Sequence, residues 1–94
     1  MRNIKVENMT SPSSGREVAN QFKIFTNKGV YFQSYDTIIA FKPYQGKIQL
    51  DKYDWKYSPT TSKYRALFLR EDTKTTSRKI EEKIYTLKDL NKRK

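Results

Sequence analysis

Hydrophobic and polar residues alternate along the first half of the chain in the manner of β-strands. Phe22 and Ile24 alternate with polar neighbours, and Val30 and Phe32 repeat this spacing after a turn that ends at Gly29. A period of two residues is typical of a strand with one buried face, and glycine permits the positive φ angles of tight turns. These positions therefore predict a β-hairpin.

Three shorter segments also have the composition of strands. Residues 4–6 alternate in polarity and precede a loop rich in Ser, Pro and Gly over residues 10–17. Residues 37–41 are apolar and β-branched, which is typical of a strand buried on both faces, and residues 48–50 alternate after a turn at residues 45–46. Together with the hairpin, these segments predict an antiparallel meander.

A helical period begins after Ser58. Ser58 and Pro59 have the chemistry of an N-cap and a first helical residue, because the serine oxygen accepts a free N–H group and proline has none. Tyr64, Leu67 and Phe68 follow at the spacing i, i+3 and i+4, which places them in one apolar stripe. The segment predicts a helix that covers the sheet.

A second helix is predicted over residues 77–85, where Ile80 and Ile84 lie one turn apart. The hydroxyl residues at 75–77 are its candidate caps. Residues 87–90 alternate in polarity, and they predict either a last short strand or the tail of this helix.

The predicted fold class is α+β, an antiparallel sheet of about four to five strands with two helices packed on one face. A length of 94 residues predicts a single domain. Within residues 1–94 we expect an N-terminal strand and loop at 1–17, a β-meander at 18–57, a two-helix segment at 58–90 and a frayed tail at 91–94.

Composition excludes several kinds of active site. The chain has no cysteine and no histidine, so disulfides, thiolate nucleophiles, zinc–sulfur sites and the usual proton shuttle are excluded. The acidic pairs at residues 71–72 and 81–82 are adjacent in sequence and do not face each other on a helix, which indicates solvated charge. We therefore expect a protein that is not an enzyme and has no metal, cofactor or small-molecule substrate.

Membrane insertion is also not expected. No apolar run approaches the roughly 20 residues that cross a bilayer. The N-terminal sequence MRNIKVENMT is too polar for a signal peptide. These features predict a soluble cytoplasmic protein without a membrane partner.

Charge is the most informative property of the composition. The chain has 20 Lys and Arg against 10 Asp and Glu, a net charge of +10. After Asp51 the balance is 13 − 6 = +7, so most of the excess lies in the second part. Such a surface attracts polyanions, of which DNA is expected before RNA, although the same charge also serves solubility alone.

Hydroxyl residues and cations cluster at both predicted helix starts. Ser58, Thr60 and Thr61 precede Lys63 at the first, and residues 73–78 repeat this chemistry at the second. Free N–H groups at a helix N-terminus bind phosphate, but one hydroxyl at each start also suffices as a cap. For phosphate binding, the predicted cations are Lys63, Arg65, Lys74, Arg78, Lys79 and Lys83, and the predicted neutral donors are Ser58, Thr60, Thr61, Thr75, Thr76 and Ser77.

Aromatic residues supply a second candidate contact surface. Tyr53, Trp55 and Tyr57 alternate, which predicts one strand face that either packs in the core or stacks on unpaired bases. Tyr31 and Tyr35 lie opposite the apolar face of the predicted hairpin and are a further candidate surface.

Several short motifs resemble a family of small uncharacterised proteins from tailed phages and prophages. They are NQF at 20–22, FQSY at 32–35, IAF at 39–41, Trp55, YSPTTSKY at 57–64 and FL at 68–69. The resemblance covers residues 18–90 and brings no activity and no functional residue with it. It implies a phage or mobile-element source, hence a host bacterial cytoplasm, where short basic proteins bind nucleic acid or inhibit host and defence machinery.

The leading functional prediction is a non-enzymatic nucleic-acid-binding protein that contacts duplex DNA phosphates through its basic C-terminal half. The alternative is a protein-binding inhibitor of a host or anti-phage defence complex, similar in role to an anti-CRISPR protein, whose target includes ribonucleoproteins. A structural virion component that self-associates, for example as a homodimer, is a third reading.

Overall fold

The computed structural model describes residues 4–92, which form one six-stranded sheet and two helices. In chain order the elements are β1 (Lys5–Thr10), β2 (Glu17–Phe25), β3 (Gly29–Ser34), β4 (Thr37–Pro43), β5 (Gln49–Asp51), α1 (Pro59–Leu69), α2 (Thr73–Glu81) and β6 (Thr86–Lys88). The α+β class is confirmed, and the sheet has more strands than the sequence predicted.

The strands lie in the sheet in the order in which they occur in the chain. Neighbours from β1 to β5 pair antiparallel, whereas β5 and β6 pair parallel. A parallel pair needs a long crossover connection, and the two helices between β5 and β6 supply it. The helices are therefore part of the connection between β5 and β6, and α1 lies against β3 and β4.

Helix α1 begins as the sequence predicted. The backbone N–H of Thr61 donates to Ser58 Oγ over 3.1 Å, and Pro59 occupies the first turn. The predicted apolar stripe is partly wrong, because Tyr64 and Phe68 are buried whereas Leu67 is 41% exposed.

Helix α2 begins four residues earlier than predicted, at Thr73. The carboxylate of Asp72 accepts the N–H of Thr75 over 2.8 Å and so caps the helix ahead of the hydroxyl cluster. The predicted caps, Thr75, Thr76 and Ser77, therefore lie inside the helix. The chain leaves the helix at Glu82, and Lys83 adopts a left-handed conformation with a φ of 64°.

Residues 52–57 form turns, and the prediction of an aromatic strand there is wrong. The cause is the Asp51 carboxylate, which accepts the N–H groups of Tyr53 over 3.2 Å and Asp54 over 2.9 Å. These bonds bend the backbone directly after β5, so the meander ends at Asp51.

The core lies between the helices and one face of the sheet. Phe32 of β3 and Phe68 of α1 meet with ring centroids 5.7 Å apart. A register shift next to Phe32 inserts Ile39 into β4, and Ile39 is buried with its neighbour Ala40. The buried cluster comprises Met9, Phe32, Ile39, Ala40, Leu50, Tyr64, Phe68 and Tyr85.

The other face of the sheet has no helix on it in the described part of the chain, and we call it the open face. One cross-strand row on it consists of Val6, Ile24, Tyr31, Phe41, Gln49 and Thr86. The next row consists of Asn8, Phe22, Gln33 and Ile38. Most of these side chains are half-exposed.

Asn91, the first residue of the tail predicted to fray at residues 91–94, is bonded to the sheet. The Asn91 amide donates to the Ile38 carbonyl over 2.9 Å and accepts the Ile38 N–H over 2.7 Å. Residues 93–94 of the predicted tail lie outside the described residues.

Candidate nucleic-acid interface

A run of exposed lysines follows β5 and continues into the first turn of α1, and we call residues 52–63 the basic segment. Lys52, Lys56 and Lys63 are exposed along it. Tyr53 and Tyr57 lie between them and are 58% and 68% exposed. Interleaved cations and aromatic rings of this kind contact phosphates and bases in nucleic-acid-binding surfaces.

The lysines of the basic segment lie over aromatic rings. Lys52 Nζ is 5.3 Å from the Tyr53 ring centroid, and Lys56 Nζ is 5.0 Å from that of Trp55. Contacts at this range are weakly attractive at exposed sites and leave the ammonium accessible to an anion. Trp55 itself packs against the core, so it is not the exposed stacking ring that the sequence allowed.

The hydroxyl cluster at the start of α1 divides into structural and exposed members. Thr61 is fully buried, and its Oγ1 lies 2.9 Å from Ser34 Oγ across the helix–sheet interface. Ser58 is the cap, as described above. Thr60 is exposed and is the hydroxyl of this start that is open to a phosphate.

Arg65, a predicted phosphate contact, is fully buried. Its guanidinium donates to the backbone carbonyl of Trp55 and, over 2.5 Å, to Thr73 Oγ1. Burial lowers the pKa of Arg65, and the charge of Glu71 opposes that effect. The side chain therefore ties the basic segment to both helices and does not reach an external ligand.

The start of α2 carries a negative charge where the sequence predicted a phosphate site. Hydrogen bonds from Thr75 hold the pKa of the capping Asp72 carboxyl below its usual value. A carboxylate at the helix N-terminus repels a second anion there. Thr76 is buried, whereas Lys74 is exposed and Ser77 is half-buried.

Two more predicted cations are engaged by carboxylates. Arg78 pairs with Glu82 at 3.3 Å and Lys79 with Glu71 at 2.8 Å. Lys83 is exposed and its backbone carbonyl accepts a bond from Lys47. Three predicted cations remain exposed and make no ion pair like those of Arg78 and Lys79 in the described part of the chain. They are Lys63, Lys74 and Lys83.

Glu71 anchors α2 through several bonds. It accepts hydrogen bonds from Lys79 over 2.8 Å, from Thr76 over 2.7 Å and from the Tyr85 hydroxyl over 2.9 Å. Burial acts to raise the pKa of Glu71, but these bonds outweigh it and hold the pKa below its usual value. Glu71 therefore has a structural role, since its hydrogen bonds tie α2 and Tyr85 to the end of α1.

The sequence did not single out a group of cations near the end of α1. Lys42 Nζ donates to the Phe68 carbonyl over 3.0 Å, and burial followed by the charges of Lys23 and Arg70 lowers the pKa of Lys42. Glu7 lies opposite Lys23 in the register of β1 and β2, and its ion pair is with Lys5. Alternation along β2 gave the side of Lys23, but the register shift in β4 hid that of Lys42, and both lie on the helix side.

The remaining aromatic candidates lie on the sheet. Tyr31 stacks on Phe41 with ring centroids 4.2 Å apart on the open face. Tyr35 is 50% exposed in the turn between β3 and β4, where its φ is 57°. The two tyrosines therefore do not form one surface.

Residues 4–92 contain no group of three or more acidic side chains arranged to hold a metal ion. Within the same residues, neither helix is long and apolar enough to span a membrane.

Comparison with known proteins gives a match to a protein family. The model of a family of unknown function, DUF8033, matches residues 4–86. No curated protein and no solved structure matches the chain.

Proposed function

The chain belongs to the DUF8033 family of unknown function, and we propose that it is a non-enzymatic nucleic-acid-binding protein. It contacts backbone phosphates, of DNA in preference to RNA, through the basic segment. The expected setting is the cytoplasm of a bacterial host, in keeping with the resemblance to phage proteins.

The observation that carries the proposal is the exposure of the basic segment beside the N-terminus of α1. Lys52, Lys56 and Lys63 point charge into solvent there, and Thr60 adds a neutral donor next to the helix dipole. Lys74 extends the charge along α2. Contacts of this kind give affinity without reading sequence.

The test is fluorescence-anisotropy binding to labelled duplex DNA, single-stranded DNA and RNA across a salt series. The variant Lys56→Glu with Lys63→Glu should weaken binding to all three probes. On duplex DNA, log K falls with log salt concentration, and each lost phosphate contact reduces the steepness of that fall by about 0.9. Two lost contacts should therefore reduce it by about 1.8.

A matched control changes the net charge by the same amount elsewhere. Lys5 lies in β1 and pairs with Glu7, and Arg16 is exposed in the loop before β2. Lys5→Glu with Arg16→Glu should leave the salt slope close to that of the natural chain. Equal losses in both double variants would assign binding to net charge alone, and binding that does not respond to salt would overturn the proposal.

An inhibitor that binds a host or defence protein is the second candidate. The observation that favours it is the open face, which exposes apolar and aromatic side chains to a partner. It predicts that Tyr31→Ala on this face weakens capture of one specific protein, whereas Lys56→Glu with Lys63→Glu does not.

A further inference from the structure

The two rows of the open face combine aromatic and amide side chains and contain no carboxylate. Phe22, Tyr31 and Phe41 are its aromatic members. Asn8, Gln33 and Gln49 are its amides. None of the ten residues in its two rows is acidic, in a chain that has 10 acidic residues and a net charge of +10. The face is therefore neutral and polarisable within a strongly positive molecule.

A cavity of about 530 Å³ adjoins this face at the turns that precede β3 and follow β4. Its lining consists of Asn27, Lys28, Phe41, Pro43, Tyr44 and Gln45. Phe41 joins the cavity to the open face because it also stacks on Tyr31. Tyr44 is 65% exposed, so its ring is accessible to a ligand.

We propose that the open face and the Tyr44 cavity bind the unpaired bases of a single-stranded nucleic acid, with one base seated in the cavity. The proposal rests on the nucleic-acid binding proposed above and adds the form of the ligand. Aromatic rings stack on the faces of unpaired bases, and the amides of Asn27 and Gln45 can both donate to and accept from base edges. Lys28 supplies a cation for the adjacent phosphate.

Charge favours this occupant over a protein partner. The cavity lining contains a lysine and no carboxylate, which suits a polyanion. A second cavity, of about 460 Å³, also presents tyrosines, Tyr35 and Tyr57, but Asp36 lines it and would repel a phosphate. The cavity beside Tyr44 is thus the better match to a nucleotide.

The dimensions of the sheet also fit an extended strand. Six strands at a spacing of about 4.8 Å make the open face roughly 24 Å wide. That width accommodates about seven nucleotides at the stacked spacing of about 3.4 Å, and fewer when the strand is extended. Site sizes of about 4–16 nucleotides are typical of binding to single strands.

The test compares Tyr44→Ala with Tyr35→Ala in anisotropy binding to a labelled single strand of about 15 nucleotides and to the duplex of the same sequence. Tyr35 is the matched control because it is a similarly exposed tyrosine at the opposite end of β3. Tyr44→Ala should weaken single-strand binding about tenfold, within the range of one base–aromatic stack. Duplex binding should change less than about twofold, and Tyr44→Phe should restore single-strand binding, because the stacking ring is retained.

The outcomes separate this inference from the function on which it rests. Single-strand binding that survives Tyr44→Ala but falls in the Lys56→Glu, Lys63→Glu variant would overturn the inference and leave the proposed function standing. Equal losses for Tyr44→Ala and Tyr35→Ala would also overturn it. A natural chain that binds neither probe at any salt concentration would refute the proposed function, and the inference with it. Circular dichroism of each variant verifies that the fold is intact.

Discussion

Replacing Glu71 by Gln removes the charge on which the attachment of α2 depends while keeping the shape of the side chain. In the natural chain the Glu71 carboxylate, whose side chain is 9% exposed, accepts bonds from Lys79, Thr76 and Tyr85. An amide keeps one acceptor oxygen and places an NH₂ group where the second oxygen was. We expect the helix to remain in place with weaker attachment.

The magnitude follows from the number of donors. Hydrogen bonds to a charged group contribute about 1.5–3 kcal/mol each, and neutral ones about 0.5–1.5 kcal/mol. The two neutral donors, Thr76 and Tyr85, change from the charged class to the neutral class and lose about 1 kcal/mol each, or about 2 kcal/mol in sum, whereas Lys79 keeps its own charge. Relief of the buried charge offsets part of this loss, which leaves a net destabilisation of about 1–2 kcal/mol.

The effect should depend on pH in a defined direction. The pKa of Glu71 is lowered in the folded state, so its contribution is complete above the unfolded pKa, about 4.3, and disappears as the pH falls through the folded pKa. Urea-induced unfolding, followed by the fluorescence of Trp55, measures the free energy of unfolding at neutral and acid pH. Glu71→Gln should therefore be destabilised at neutral pH and equal to the natural chain at acid pH.

Glu81→Gln is the matched control, because Glu81 is an exposed acid at the end of α2 and its replacement makes the same charge change. Its free energy of unfolding should be close to that of the natural chain at every pH. The reasoning is refuted if Glu71→Gln is as stable as the natural chain at neutral pH, or if its destabilisation persists unchanged in acid.

Two further substitutions test the fold directly. A Cβ at Gly29 would clash with the backbone carbonyl oxygen of Lys42. Gly29→Ala should therefore destabilise the protein by about 1–3 kcal/mol. An unchanged midpoint of urea unfolding would contradict this steric explanation. Arg65→Met leaves the Trp55 carbonyl and the Thr73 hydroxyl without their donor, so the free energy of unfolding should fall by about 2 kcal/mol. The salt dependence of nucleic-acid binding should not change, because Arg65 is buried. A lower salt slope with unchanged stability would show that Arg65 contacts phosphate after all.

The parts of the fold that depend on neighbouring residues could be predicted from the sequence. The hairpin between β2 and β3 and the Ser58 cap of α1 depend on residues a few positions apart, and both were anticipated. The predicted facing of the hairpin was wrong, because its register pairs Tyr31 with Ile24 and places both on the same face. The start of α2 was missed because Asp72 was assigned to solvated charge rather than to capping. Strand β6 has only three residues, all exposed, and its pairing with β5 is set by the helices rather than by its own pattern.

The candidate site was harder to predict than the fold. Sequence spacing placed Arg65 and Thr61 in the correct helix but did not show that they face the sheet or the neighbouring loop. The open face was visible in part as Tyr31, yet its cross-strand rows join residues from distant strands. The cavity beside Tyr44 brings together two turns that no single segment of the sequence contains.

The bond between Asn91 and Ile38 has a consequence for synthesis on the ribosome. Strand β5 pairs with β4 only at Ala40 and Phe41, so the outer edge of β4 at Ile38 depends on an amide made 53 residues later. While the chain is being translated, the early strands can pair with one another, but this edge stays open until the helices and Asn91 have emerged. An open strand edge is a template for pairing with another chain. The nascent protein is therefore most exposed to aggregation between completion of β4 and arrival of Asn91, and slow translation of the helical region would prolong that interval.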